Sequence, residues 1–414
     1  MKKFLLLIIL TASLLFLTAQ EAIQPLGEGT EENPYQISSW ENLYWISVRD
    51  TSYDTKMECF YVQTTDISFP SEINTWDENQ GWSSIGWGSL SESHSFTGSY
   101  DGQNHIISNL FINRPLEDMI GFFGCTNGAQ ISNLGLDNVE VTASYGPSGL
   151  VGEMDESTSV TNCFVKGNIT GEAFVGGITG YNFASTISNS YFIGNITGIE
   201  ALGGITGYND AGDISNCYAA AIVSEGDLAG VLVGCNDAGT INNSFWDSEI
   251  CTLDGIGDNS DGTINDTFGK TTQEMKTQTT YTEAGWDFIT TWQINTEINN
   301  SYPSFIWEST STTINDSTIS MPTSAKLNNI YPNPFNPSTT ISFELKNDEF
   351  VNLSIYNVKG QIIKTLNNSR LNSGNHSVTW NGTNENNNKS ASGIYFIKLQ
   401  TTNSIQIKKA VLVK

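Results

Sequence analysis

The sequence predicts an all-β chain in which a right-handed parallel β-helix, or β-solenoid, precedes a small β-sandwich. Three observations carry that prediction. Glycine-centred copies of one phrase fall at Gly124, Gly152, Gly180, Gly207 and Gly234, in steps of 28, 28, 27 and 27 residues. Each copy continues into a second phrase: ISNL at 131–134, VTNC at 160–163, ISNS at 187–190, ISNC at 214–217 and INNS at 241–244, with a degenerate ISNL at 107–110. Finally, residues 326–414 carry ten basic side chains against four acidic ones, a net +6, so a chain total of −26 leaves −32 for residues 1–325.

A fixed period in the twenties marks a solenoid, whose units bury their apolar faces only by stacking on one another. Helical repeats would show apolar residues at i, i+3 and i+4. These copies are instead short β-branched or aromatic runs broken by Gly and Asn, which suits three or so short strands per turn. The right hand follows from the general rule for parallel crossovers.

The chain opens with a targeting segment. Lys2 and Lys3 precede an apolar run from Phe4 to Leu17, so residues 1–19 read as a secretory signal peptide cleaved near Ala19; the run is too short for a membrane span. No later segment is long and apolar enough for a transmembrane helix. Residues 27–113 form an N-terminal cap and first turn, with Ser39 capping a short amphipathic helix and strand-like FYVQTTDISF after it. Trp40, Trp45, Trp76, Trp82 and Trp87 crowd this end, Trp246, Trp286, Trp292 and Trp307 the other, and the turns between have none. Bulky rings at both ends suit the concealment of raw strand edges, and a carbohydrate-stacking platform is the alternative for the first group.

Residues 114–250 are the repeats proper, and stacking in register turns equivalent positions into columns. Ile131, Val160, Ile187, Ile214 and Ile241 make an inward aliphatic column, Phe164, Tyr191, Tyr218 and Phe245 an aromatic one. Asn133, Asn162, Asn189, Asn216 and Asn243 are expected to form an amide ladder at a corner. The repeated glycines are expected to supply tight corners, including positive φ. Of the six cysteines, Cys163 and Cys217 share a column two turns, roughly 9.6 Å, apart, beyond disulfide reach, and are expected to be buried thiols. Cys235 with Cys251 is the pair to test. Residues 251–307 read as the C-terminal cap of the solenoid, 308–325 as a Ser/Thr-rich linker, and 326–414 as alternating strands of a compact sandwich.

The GGITGYN…TISNSY…GNITG units resemble GLUG-motif repeats, and FTGSYDGQNHIISNLFINRP (96–115) and the stretch 244–307 resemble the usual flanks of such arrays. The tail, with YPNPFNPSTTISFEL (331–345), IYNVKGQIIKTL and SGIYFIKL, resembles a type IX secretion C-terminal sorting domain. That resemblance implies an immunoglobulin-like β-sandwich, export through the type IX secretion machinery as partner of residues 326–414, and a mature chain that is released or held at the outer-membrane surface.

Chemistry is sparse by comparison. Between Met119 and Ile250 the sole cation is Lys166, with no Arg or His, so the array cannot offset the carboxylates of an acidic polysaccharide as a lyase must. The negative passenger would also be repelled by nucleic acid. No GxSxG, HExxH or Cys/His nucleophile pattern occurs, and His94, His105 and His376 are isolated. Asp210 and Asp237 fall in one column of adjacent turns, beside Asn182, Asn209 and Asn236, and two carboxylates so placed repel unless a cation bridges them. Oxygen ligands suit Ca²⁺, making these two the candidate metal residues and Ca²⁺ the candidate cofactor. The function expected is a secreted or cell-surface binding or adhesion protein with a non-catalytic solenoid, its partner an extracellular glycan or surface protein. The alternative is a glycan-acting hydrolase, or an accessory part of a surface protease, using acidic residues of the solenoid.

Overall fold

The computed structural model describes residues 20–88, 93–309, 325–345, 348–357, 362–385, 388–401 and 405–413. The signal peptide expected at 1–19 and all but the ends of the linker lie outside the described residues. The chain divides into two units, residues 1–312 and 313–414.

The first unit is a parallel β-solenoid. One rung runs through four strands, as in Thr179–Phe183, Thr186–Ser188, Tyr191–Thr197 and Glu200–Gly203. Each lies parallel to its counterpart on the next rung, Tyr181 beside Tyr208, Ile187 beside Ile214 and Tyr191 beside Tyr218. Four strands fit where three or so were expected because the second has only 3 residues. The aliphatic column forms as anticipated: Ile131, Val160, Ile187, Ile214 and Ile241 are each at most 1% exposed. Burying a side chain of this size stabilises by about 1.5–3 kcal/mol, and stacking delivers it once per rung.

The corners depart from expectation in an informative way. Asn133, Asn162, Asn189, Asn216 and Asn243 all stand at positive φ, between 44° and 56°. Asn tolerates this left-handed region because its short side chain bonds locally. As a ladder, however, this column is broken: Asn162 donates to Asn133 at 3.0 Å and Asn216 to Asn189 at 3.2 Å, while Asn162 Oδ1 is buried without a partner. The continuous ladder lies at another corner. Asn182 donates to Asn209 at 2.6 Å, Asn209 to Asn236 at 2.7 Å and Asn236 to Asn259 at 2.7 Å, the first three being fully buried.

The glycines heading each copy also work differently from the expectation of positive φ. A Cβ on Gly180 would stand 2.5 Å from the carbonyl oxygen of Gly146, and one on Gly207 2.3 Å from the carbonyl carbon of Phe174. They are required by close approach of backbone to backbone.

The two ends of the stack differ. At the N-terminal end the helix Trp40–Ser47 buries Leu43 and Ile46 completely. Ser39 precedes it in extended conformation but makes no side-chain cap; instead Asn42 Oδ1 accepts from the Ser38 amide at 3.0 Å. Trp82 is buried and donates to Phe122 O at 3.1 Å, and Trp76 packs between Trp40 and Phe69, as a cap requires.

At the C-terminal end the expected boundary at 250 is corrected. Strands Ile256–Ser260, Thr263–Asn265 and Phe268–Lys270 add a further rung, pairing with 233–237, 240–242 and 245–247. Residues 271–309 then do not close the end. They fold back as a strap along the outside of the stack, over the aromatic column, because that column presents a stripe of rings with nothing else to cover it. Phe164, Tyr191 and Tyr218 stack at 5.1 and 4.8 Å, and Trp286, Trp292, Phe305 and Trp307 pack on them in order toward the N-terminal rungs. Trp286, Trp292 and Trp307 therefore cover a side of the solenoid and not its edge, whereas Trp246 packs against the solenoid core beside Gly255 and Gly269.

The second unit is a β-sandwich of two antiparallel sheets. One contains Ala325–Tyr331, Thr339–Leu345 and Gly374–Trp380. The other contains Ile362–Leu371, Glu349–Asn357, Gly393–Gln400 and Ile405–Leu412. Ile341, Phe343, Leu353, Ile355, Trp380 and Ile397 form its buried core.

Candidate functional site

The strands of five residues, such as Thr179–Phe183 and Thr206–Asp210, alternate inward and outward side chains, and the outward ones build a half-buried strip of aromatic and acidic groups. Cys125, Glu153, Tyr181, Tyr208, Cys235 and Asp258 follow one another across six rungs. Two residues further along the same strands stand Asn127, Asp155, Phe183, Asp210 and Asp237.

Both sequence-identified aspartates lie here, and each is engaged by a tyrosine from the rung before. Tyr181 Oη donates to Asp210 Oδ2 at 2.7 Å, and Tyr208 Oη donates to Asp237 Oδ2 at 3.1 Å. Burial first, then the acceptor carboxylate, pushes the Tyr181 hydroxyl up from its usual range; burial and the nearby Cys235 do the same for Tyr208 ahead of Asp237. Among the described residues no cluster of three or more His, Cys, Asp or Glu could hold a metal. Ca²⁺ takes six to eight oxygens, so Asp210 and Asp237 alone do not complete its shell.

Phe174 roofs the tyrosines. Its ring lies 5.9 Å from Tyr181 and 5.2 Å from Tyr208, with half-exposed Tyr145 at 6.3 Å. The backbone there has φ 56°, shared by Ala201 at 51° and Leu228 at 55° on the following rungs, so the solenoid imposes the conformation and the sequence chooses the ring. At the other end of the strip Cys125 Sγ donates to Glu153 Oε2 at 3.4 Å, and burial lifts the Glu153 carboxyl against that bond.

Other sequence candidates resolve into architecture. Lys166 Nζ pairs with buried Glu308 at 3.1 Å and sits 4.3 Å from the Phe164 ring centre, so it clasps the strap. Glu308 also accepts from Tyr191 Oη at 2.9 Å and from the Phe305 amide at 2.7 Å. His94 and His105 pair with Asp54 and Asp66 at 2.5 and 3.2 Å, and neither joins the strip. All six cysteines are free thiols, Cys235 and Cys251 included, and burial pushes Cys163 and Cys217 up to about 12. Sequence reasoning missed Tyr181, Tyr208 and Phe174. The signal was present in the doubled GITGYN, where each Tyr precedes an Asp of the next copy by 29 residues.

Comparison with known proteins matches two parts of the chain. The GLUG motif matches residues 198–224, which is one complete rung, and the FlgD Ig-like domain matches residues 328–404 of the sandwich. Halomucin of Haloquadratum walsbyi is 35% identical over 156 residues, or 37% of this chain. The match spans only 2% of halomucin's own length. Among solved structures PorZ, described as an essential bacterial surface component of the type-IX secretion system of Porphyromonas gingivalis, aligns with TM-score 0.17 and 19% identity, over 21% of this chain and 11% of that one. At that score the alignment carries no argument. The chain thus carries a GLUG motif in its solenoid and resembles a FlgD Ig-like domain in its tail.

Proposed function

We propose that the chain is an exported, cell-surface binding protein whose solenoid is non-catalytic and holds a neutral glycan on the Tyr181/Tyr208 strip. The carrying observation is the repeated tyrosine–aspartate pair roofed by Phe174: ring faces for the apolar side of a pyranose beside carboxylates that accept its hydroxyls. An anionic polysaccharide suits this strip poorly, since its charged groups are all acidic. The GLUG rung and the likeness to part of halomucin support a surface role. A Ca²⁺ ion enters this reading as one that Asp210 and Asp237 share with the glycan's own hydroxyls.

The test is a glycan array probed with residues 20–309, with and without EDTA. Saturable binding to neutral glycans, lost in Phe174→Ala and Tyr208→Ala, is expected; Ala already occupies the rung position equivalent to Phe174, at Ala201, so that variant folds. Release of shortened product from any glycan would replace binding by hydrolysis. In the same reading residues 326–414 serve export by the type IX machinery. Fractionation of cells lacking those residues is expected to find the passenger retained in the periplasm, and unchanged surface display would overturn that part.

A further inference from the structure

We propose that the last rung of the solenoid, residues 256–270, is a docking edge for an extended, positively charged polypeptide segment that adds as the next rung. The columns that are sealed everywhere else end here uncovered. Ile241 is fully buried, yet Ile264 stacked on it is 40% exposed; Phe245 is 2% exposed and Phe268 52%. At the opposite end the helix Trp40–Ser47 buries Leu43 and Ile46 completely, and the exposed apolar side chains there, Ile23 and Leu26, lie in the segment that precedes the helix.

Backbone and side-chain hydrogen bonding at this edge is also set up for continuation. Thr263 donates to Gly239 O at 2.8 Å and Asn265 O accepts from Asn243 at 3.1 Å, so strand alternation turns the N–H and C=O of Ile264 away from the preceding rung. Asn182, Asn209 and Asn236 each donate to an amide on the next rung, whereas Asn259 donates to Gly262 O at 3.0 Å with no amide beyond it among the described residues. Asn265 Nδ2 donates back to Asn242 Oδ1 at 2.9 Å, so its side-chain Oδ1 is the acceptor that this column offers to a following rung. A polypeptide strand satisfies a free N–H, a free C=O, an amide donor and an amide acceptor together; a glycan does not.

Charge selects the kind of strand. Residues 254–270, which lead into and form this rung, carry Asp254, Asp258, Asp261 and Asp266 against the single Lys270. A second copy meeting this rung end to end would oppose two such sets of carboxylates, whereas a lysine-rich segment neutralises one.

The experiment uses the chain without its signal peptide and a synthetic peptide repeating residues 263–268 flanked by lysines, with a glutamate-flanked twin as control. Hydrogen exchange is expected to slow across 256–265 with the lysine peptide alone, saturably and less at high salt. Ile264→Pro removes the outward donor while sparing the bonds of Thr263 and Asn265, and Ile264→Lys keeps the backbone but opposes the peptide's charge. Each is expected to weaken binding by at least about tenfold with the circular dichroism unchanged. Equal protection by both peptides, no protection by either, or protection that grows with protein concentration alone, the mark of a dimer, would each overturn the proposal. Glycan binding on the tyrosine strip is read separately and does not depend on this edge.

Discussion

Two columns of asparagine run along the same solenoid, and they answer different physical demands. At Asn133, Asn162, Asn189, Asn216 and Asn243 the residue is chosen for its backbone: all stand at positive φ, and their side-chain ladder is interrupted. At Asn182, Asn209, Asn236 and Asn259 it is chosen for its side chain. Asn182, Asn209 and Asn236 each bond both the next rung and the carbonyl three residues on, as Asn209 does with Gly212 O at 3.0 Å, and Asn259 ends the row with its bond to Gly262 O. One residue type at one period can therefore hide two constraints, and only geometry separates them.

Substitution separates them in the test tube. The largest expected effect is Asn209→Leu, which strands the Asn182 donor and the Asn236 acceptor in a buried site and costs about 3 kcal/mol. Urea denaturation reads it, and a loss below about 1 kcal/mol would mean that the ladder is passive. Next is Gly212→Ala, whose Cβ would lie 2.2 Å from Asn182 Nδ2 and 2.6 Å from Asn209 Oδ1; crowding both amides is expected to cost about 2 kcal/mol. In the other column Asn189→Ala is expected to cost about 1 kcal/mol, because Ala tolerates its φ of 44° poorly, with Asn189→Gly recovering most of it. If Gly failed to rescue, the amide would matter there as well. The smallest effect is chemical: Cys163 and Cys217, next to that column, are pushed up to about 12, so at about pH 8 roughly one part in ten thousand is thiolate. Iodoacetamide is expected to leave both unlabelled until urea unfolds the rungs.

What could be read in the sequence follows the same division. Period, strand class and the aliphatic column were legible because a stacked fold makes neighbours of like residues, and Ile131 through Ile241 advertise this at every copy. The tail was legible as a sandwich from the alternation in TTISFEL and GIYFIKL. The path of residues 271–309 was not: their tryptophans promised packing, but which surface they cover depends on where the rings of Tyr191 and Tyr218 point. The strip was half legible. Asp210 and Asp237 could be placed in one column, but their tyrosine partners lie one rung back and two residues out of register, a diagonal that requires the phase of both strands.

The strap also decides where mechanical load would enter. The chain leaves the solenoid beside Tyr191 and Lys166, held there by Glu308, and not at the last rung. Tension arriving through residue 309 therefore meets the interior of the pile first. Freeing the strap means shearing a row of ring contacts and a partly buried ion pair before any rung can be peeled away, so a tether at that end grips the molecule by its flank and leaves the terminal rung slack.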